Sequence, residues 1–112
     1  MNIQIIGTKK CKNTQKAERF FKERSIPFHF RNIGEKNLSR GELNNILQVF
    51  NIEDLLDSNG DQYRKRNLSF MVFDIEEEIL NDSLLLKTPV VRNGKLITIE
   101  YKPEIWKSWL NK

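Results

Sequence analysis

The spacing of apolar residues changes period several times along this chain, and each change marks an element. Asn2 to Ile6 alternates and is rich in isoleucine, which predicts a strand. Gly7 to Cys11 predicts a turn. From Asn13 to Arg24 the period lengthens: Ala17, Phe20, Phe21 and Arg24 recur at spacings of three and four. That spacing predicts a helix whose two phenylalanines face a core. Ser25-Ile26-Pro27 should stop this helix. Phe28 to Ile33 alternates again and predicts a second strand. Two strands joined through one helix are expected to run parallel, through a right-handed crossover.

The middle of the chain reads as helical. Ser39-Arg40-Gly41-Glu42 has the S-x-x-E form of a capping box, and Leu43, Ile46, Leu47 and Phe50 supply an apolar stripe behind it. A short helical turn is expected over Ile52–Leu56, and a turn over Ser58-Asn59-Gly60-Asp61. Phe70 to Leu86 predicts one further helix, with Phe73, Ile75, Ile79 and Leu80 inward and Glu76, Glu77 and Glu78 on a solvated face. Pro89 to Ile99 reads as two short strands around Asn93-Gly94, the signal of a type I′ hairpin. Lys102 to Leu110 predicts a last helix, with Pro103 near its first turn and Ile105, Trp106, Trp109 and Leu110 as its packing face. The order is β-α-β, then helices, then β-β-α. It predicts an α/β fold: a four-stranded mixed sheet flanked by helices, with a helical insertion at about residues 39–86 between the two halves. One domain over residues 1–112 is expected.

Composition narrows the function classes. Hydrophobic residues make up 38% and charged residues 30%, as in soluble globular proteins. No apolar run approaches the roughly 18 residues that cross a bilayer, and the first residues lack the pattern of a secretory signal. A cytoplasmic location with no membrane association is the expectation. A single cysteine excludes an internal disulfide. The net charge of +4 is uneven: residues 1–24 hold seven cations against two acids, and the other 88 residues sum to −1. Such a run is either a solvated face or a positive field that draws an anionic partner. Arg64-Lys65-Arg66 is the other basic run, and no second cluster with interleaved aromatics accompanies it, so nucleic acid is not the expected partner.

The candidate chemistry centres on Cys11. It sits between a strand and a helix, with Lys9, Lys10 and Lys12 around it. A helix N-terminus carries partial positive charge and unpaired amides, and both favour a thiolate over a thiol. Such settings lower a cysteine pKa to roughly 3.5–7.5. The alternative is an inert structural cysteine in a loop, and the polar, basic neighbours speak against it. Lys87-Thr88-Pro89-Val90 opens a strand, and a proline there is either cis or an ordinary trans strand starter. His29 alternates with Phe28 and Phe30 and should point away from both, toward the surface. No cluster of His, Cys and acids has metal-ligand spacing, and no phosphate loop is present, so no metal or bound cofactor is expected.

Four segments in order resemble the ArsC/Spx family of the thioredoxin-like fold. They are Ile3–Phe21 with Cys11-Lys12-Asn13-Thr14; the second strand with Ser39-x-x-Glu42-Leu43; Asp54-Leu55-Leu56 through Gly60 to Tyr63-Arg64-Lys65; and Lys87-Thr88-Pro89-Val90-Val91 with the hairpin and last helix. The resemblance covers nearly the whole chain and includes the helical insertion. It implies a thioredoxin-like sheet, a cis Pro89 facing Cys11, and redox chemistry at Cys11. Family members include arsenate reductases, which use one cysteine with glutathione and glutaredoxin, and Spx-type regulators, which bind RNA polymerase. Spx-type proteins often carry C-x-x-C, and here Thr14 takes the last position. The reductases place an arginine before the cis proline, where this chain has Thr88, and another near the central turn, where it has Ser58-Asn59-Gly60. These departures speak against arsenate reduction, with Arg64 and Arg92 as substitutes only if the fold brings them near.

Thr88-Pro89 looks like the glutaredoxin and thioredoxin form of that loop. The resemblance therefore implies a thiol-dependent oxidoreductase with Cys11 as the nucleophile and an external thiol, glutathione or a glutaredoxin-like protein, to resolve it. Lys10 and Lys12 would lower the thiol pKa and draw in a carboxylate. The Asn13 and Thr14 amides would hold negative charge, and Thr88 and Pro89 would meet a bound peptide. The other reading is an Spx-like binding module for RNA polymerase or another partner, without turnover.

Overall fold

The computed structural model describes residues 1–110. In chain order the elements are β1 (Ile3–Gly7), α1 (Lys12–Glu23), β2 (Phe28–Asn32), α2 (Arg40–Leu47), α3 (Ile52–Leu55), α4 (Asp61–Lys65), α5 (Ile75–Asn81), β3 (Val90–Asn93), β4 (Leu96–Ile99) and α6 (Pro103–Leu110). Single 3-10 turns cover Leu68–Phe70 and Ser83–Leu85. The chain divides into two compact units, one from residues 1–32 and 88 onward, the other from residues 33–87.

The first unit is built on one sheet of order β2-β1-β3-β4. β1 pairs parallel with β2 in the register Ile3 to Phe28. It pairs antiparallel with β3, and β3 antiparallel with β4. The sheet is therefore mixed and four-stranded, as the apolar pattern predicts. One face carries Ile3, Ile5 and Val91, which join Ala17, Phe20 and Phe21 of α1 and Trp106 and Trp109 of α6 in one core. Phe20, Phe21 and Trp106 meet at ring separations of 5.0 to 5.5 Å, mostly edge to face, the favoured aromatic arrangement. Trp106 is fully buried, and its indole N–H is satisfied by Thr98 Oγ1 at 2.8 Å.

The end of α1 explains why it stops. Ser25 adopts a left-handed conformation, φ 55°. Its N–H donates to the Lys22 carbonyl and that of Ile26 to the Phe21 carbonyl, the paired bonds of a Schellman motif. Ile26 packs against the core cluster that contains Phe21. Arg24, which shares the spacing of the two phenylalanines, is exposed; its guanidinium lies 3.8 Å from the Phe20 ring centroid. Ile105, expected to pack, is likewise exposed, because the core is already filled by Trp106 and Trp109.

The hairpin turn differs from the expected one. Asn93 pairs with Leu96, so the two turn residues are Gly94 and Lys95. Of these only Gly94 has positive φ, 62°, and glycine in the first central position is the II′ pattern rather than I′.

In the second unit the capping box forms as its spacing predicts. Ser39 Oγ accepts from Glu42 N at 3.1 Å and Glu42 Oε1 accepts from Ser39 N at 2.9 Å. The single helix expected over residues 70–86 is instead an irregular stretch over 71–74, then α5, then the separate Ser83–Leu85 turn. Asp74 caps α5 by accepting from Glu77 N, and Asp82 leaves the helical conformation (φ −153°, ψ 86°) and caps the next turn through Leu84 N. Only Ile79 of the four residues expected inward is fully buried. The acidic run is not merely solvated: Arg40 pairs with Glu76 and Glu77, and Arg66 with Glu78 and Asp82. Ser83 is buried and serves both ends of this region, donating to the Ile79 carbonyl and accepting from Leu38 N, each at 2.8 Å.

Candidate functional site

Cys11 occupies the N-cap position of α1, with extended backbone (φ −74°, ψ 119°). The preceding turn is tied by Cys11 N to the Thr8 carbonyl at 3.3 Å and by Gln15 Nε2 to the Lys9 carbonyl at 2.6 Å. The first turn of α1 also presses on the end of β1. A Cβ on Gly7 would lie 2.3 Å from Thr14 Oγ1, so this contact requires a glycine. Thr14 is one helical turn from Cys11 and completely buried.

The second side of the site is the start of β3. The Thr88–Pro89 peptide bond is cis. Pro89 is buried, and its carbonyl accepts from Glu100 N at 2.8 Å. Thr88 is half-buried and reaches the sulfur twice. Its Oγ1 donates to Cys11 Sγ at 3.1 Å, and its carbonyl accepts from the thiol at 3.8 Å. The hydroxyl bond suits a thiolate; the carbonyl contact suits a thiol.

The electrostatic balance at the half-buried sulfur follows from these neighbours. Burial pushes its pKa up, but the Thr14 and Thr88 hydroxyls and the backbone N–H groups of Thr14 and Asn13 outweigh it, and the thiol ionises below its ordinary value. Among the described residues Thr14 Oγ1 makes no hydrogen bond, whereas Thr88 Oγ1 donates to the sulfur at 3.1 Å. Thr88 is therefore the firmer of the two hydroxyl contacts. The buried Thr14 hydroxyl lies on the same side and favours negative charge on the sulfur.

Of the residues singled out in the sequence, Cys11, Asn13, Thr14, Thr88 and Pro89 come together. Lys10 and Lys12 are exposed, and neither contributes to the lowered pKa. The thiolate is stabilised by hydroxyls and amides instead, because these are the groups that reach the sulfur. The Thr14 and Thr88 hydroxyls were the signal missed: the i, i+3 spacing in Cys11-x-x-Thr14 already sets Thr14 on the side of the cysteine. Arg64 belongs to the second unit, where it pairs with Asp61 and donates to the Asn59 carbonyl at 2.8 Å. Arg92 lies opposite Gln4 and donates to its Oε1 at 3.3 Å. It shares a recess with Asn2, His29 and Gly94, at the end of β1 remote from Cys11. His29 is exposed, as expected. Among the described residues no group of His, Cys, Asp and Glu is arranged to hold a metal ion, and no helix is long and apolar enough to cross a membrane.

Comparison with known proteins places this geometry. The global transcriptional regulator Spx 2 of Oceanobacillus iheyensis is 26% identical over 106 residues, covering 90% of this chain and 78% of that protein. The structure of an arsenate reductase from Vibrio cholerae superposes with a TM-score of 0.80 at 16% identity, over 96% of this chain and 97% of that one. The glutaredoxin-like NrdH-redoxin of Escherichia coli superposes at 0.50, with 17% identity over 96% and 93% of the two chains. The fold is thioredoxin-like. The profile of the ArsC family matches residues 6–109, nearly the full chain. This protein belongs to the ArsC family.

Proposed function

We propose that the protein is a thiol-dependent oxidoreductase in which Cys11 is the nucleophile and an external thiol resolves the intermediate. The observation that carries this reading is the sulfur at the α1 N-terminus, accepting from Thr88 Oγ1 at 3.1 Å, with a pKa below its ordinary value. The Cys11 thiolate attacks one sulfur of a disulfide substrate. A mixed disulfide forms, the substrate S–S bond breaks, and the leaving thiolate takes a proton. A thiolate such as glutathione then attacks the sulfur bonded to Cys11, returning the Cys11 thiolate and carrying the substrate fragment away as a new disulfide. Asn13 and Thr14 supply the amides that hold negative charge, and Lys10 and Lys12 offer exposed charge to an incoming carboxylate. The Thr88-Pro89 segment borders an extended ligand.

Arsenate reduction is the weaker form of this chemistry. An oxyanion needs guanidinium donors at the sulfur, Arg92 bonds to Gln4 away from Cys11, and Arg64 is engaged within its own unit. The relationship to a transcriptional regulator supports a second reading, an Spx-like module that binds RNA polymerase or another protein without turnover. With Thr14 in place of a second cysteine, such a module would switch only by joining an outside thiol.

The test is the pH dependence of Cys11 alkylation in the native protein against the unfolded chain, followed by turnover with glutathione mixed disulfides and with arsenate. A native midpoint below the unfolded one with turnover of a disulfide supports the oxidoreductase. A midpoint at or above the unfolded one sinks the nucleophile reading.

A further inference from the structure

The basic N-terminal segment is organised as a groove on the first unit. Lys16, Arg19 and Arg24 of the α1 region line it with Lys107 of α6 and Tyr101, and Glu23 is the one acid among its lining residues. The recess measures about 220 Å³. Its cations are not neutralised: among the described residues none of the four makes an ion pair with a carboxylate. Two of them rest on aromatic rings instead. Lys16 Nζ lies 5.6 Å from the Tyr101 centroid, and Arg24 lies over Phe20. Tyr101 is 39% exposed yet held edge-on against buried Trp106 at 5.6 Å, so the groove offers a fixed aromatic wall. Arg24 also donates to the Phe20 carbonyl at 3.1 Å, whereas Lys16 over Tyr101 keeps its ammonium donors for an anion.

The groove has a direction. Lys12, the residue after Cys11, is followed by Lys16 and Arg19 at helical spacings of four and three, so the three cations share one stripe. Along the helix axis Lys16 lies about 7 Å and Arg24 about 20 Å from Cys11, at 1.5 Å per residue. An extended peptide covers that interval with roughly two to six residues.

We infer that this groove docks an acidic segment of a protein partner, with carboxylates on the α1 stripe and an apolar or aromatic side chain against Tyr101. The partner's reactive sulfur would then stand two to six residues away, at Cys11. The orientation toward Cys11 rests on the thiol-exchange function; the groove's preference for an acidic peptide does not. A nucleic acid would stack successive bases on several aromatics, and this groove exposes one.

Two measurements separate the two ideas. First, a fluorescent glutamate-rich hexapeptide without cysteine is titrated against the full chain, beside its all-glutamine counterpart and a single-stranded oligonucleotide. The acidic peptide should bind best, weaken with salt, and lose at least about tenfold in affinity in a Lys16→Glu/Arg19→Glu variant. Lys65→Glu, on the second unit, should lose far less. Equal binding of both peptides, tighter binding of the oligonucleotide, or equal loss in Lys65→Glu would overturn the inference. Second, a disulfide placed three residues before the acids should exchange with Cys11 faster than the glutamine version. That advantage should vanish in the Lys16→Glu/Arg19→Glu variant while its reaction with neutral iodoacetamide continues. Peptide binding without any exchange would leave the groove intact and remove the oxidoreductase.

Discussion

Cys11 is poised by nearby hydroxyls and helix amides, Thr88 foremost, rather than by the three lysines that crowd it in sequence. The distinction has a direct test. Thr88→Val keeps the shape of the side chain but removes the donor to the sulfur, so the native alkylation midpoint should rise toward the ordinary thiol value, with alkylation at neutral pH slowed several-fold. Thr88→Ser should restore it. Substituting Lys10 should leave the midpoint where it is. A midpoint that follows Lys10 and ignores Thr88 would reverse the assignment. Gly7 makes a second demand at this scale. Gly7→Ala drives a methyl into the buried Thr14 side chain, and the chemical-denaturation midpoint should drop by the equivalent of about 1–3 kcal/mol. That the cysteine sits at a helix start was legible in the pattern of isoleucines before it and phenylalanines after it. Which groups touch the sulfur was not, because Thr88 lies in the bend before β3, 77 positions away along the chain.

The elements most legible in the sequence were those whose local chemistry and burial agree. β1, α1 and β2 have clean periods, and the Ser39–Glu42 box closes as written. The region after Phe70 was misread because Asp74 and Asp82 look like two more acids in an acidic run. In the structure each accepts from a backbone N–H, so that Asp74 begins α5 and Asp82 ends it and begins the next turn. α4 went unread because five residues carry too short a stripe to reveal a period, and none of them is buried. The end of α1 offers a stabilising change of the opposite kind. Ser25 holds a left-handed conformation that glycine adopts without cost, so Ser25→Gly should stabilise the protein by about 1 kcal/mol. A lower melting temperature in this variant would mean that the Ser25 side chain matters more than its backbone.

Over the whole molecule the apolar residues divide unevenly between interior and surface. Phe70, Met71 and Val72 are consecutive and exposed, at 87%, 56% and 104%, in an irregular stretch between the Leu68–Phe70 turn and α5. Brief digestion with chymotrypsin should cut first at this stretch, giving two fragments of roughly two thirds and one third of the chain, read by mass spectrometry. A first cut in β1 or α1 would contradict this surface. The uneven charge is a second property at this scale, and it was legible in the sequence; its arrangement around Tyr101 was not, since α6 supplies one wall of the groove. The solitary sulfur also has a consequence for identifying what this protein meets. With Thr14 behind it and no second thiol, the chain has no way to store a disulfide within itself. Every molecule oxidised to a disulfide is heavier than the reduced one by the mass of whatever it reacted with, so weighing the intact protein as it comes from the cell reads out the name of its last encounter.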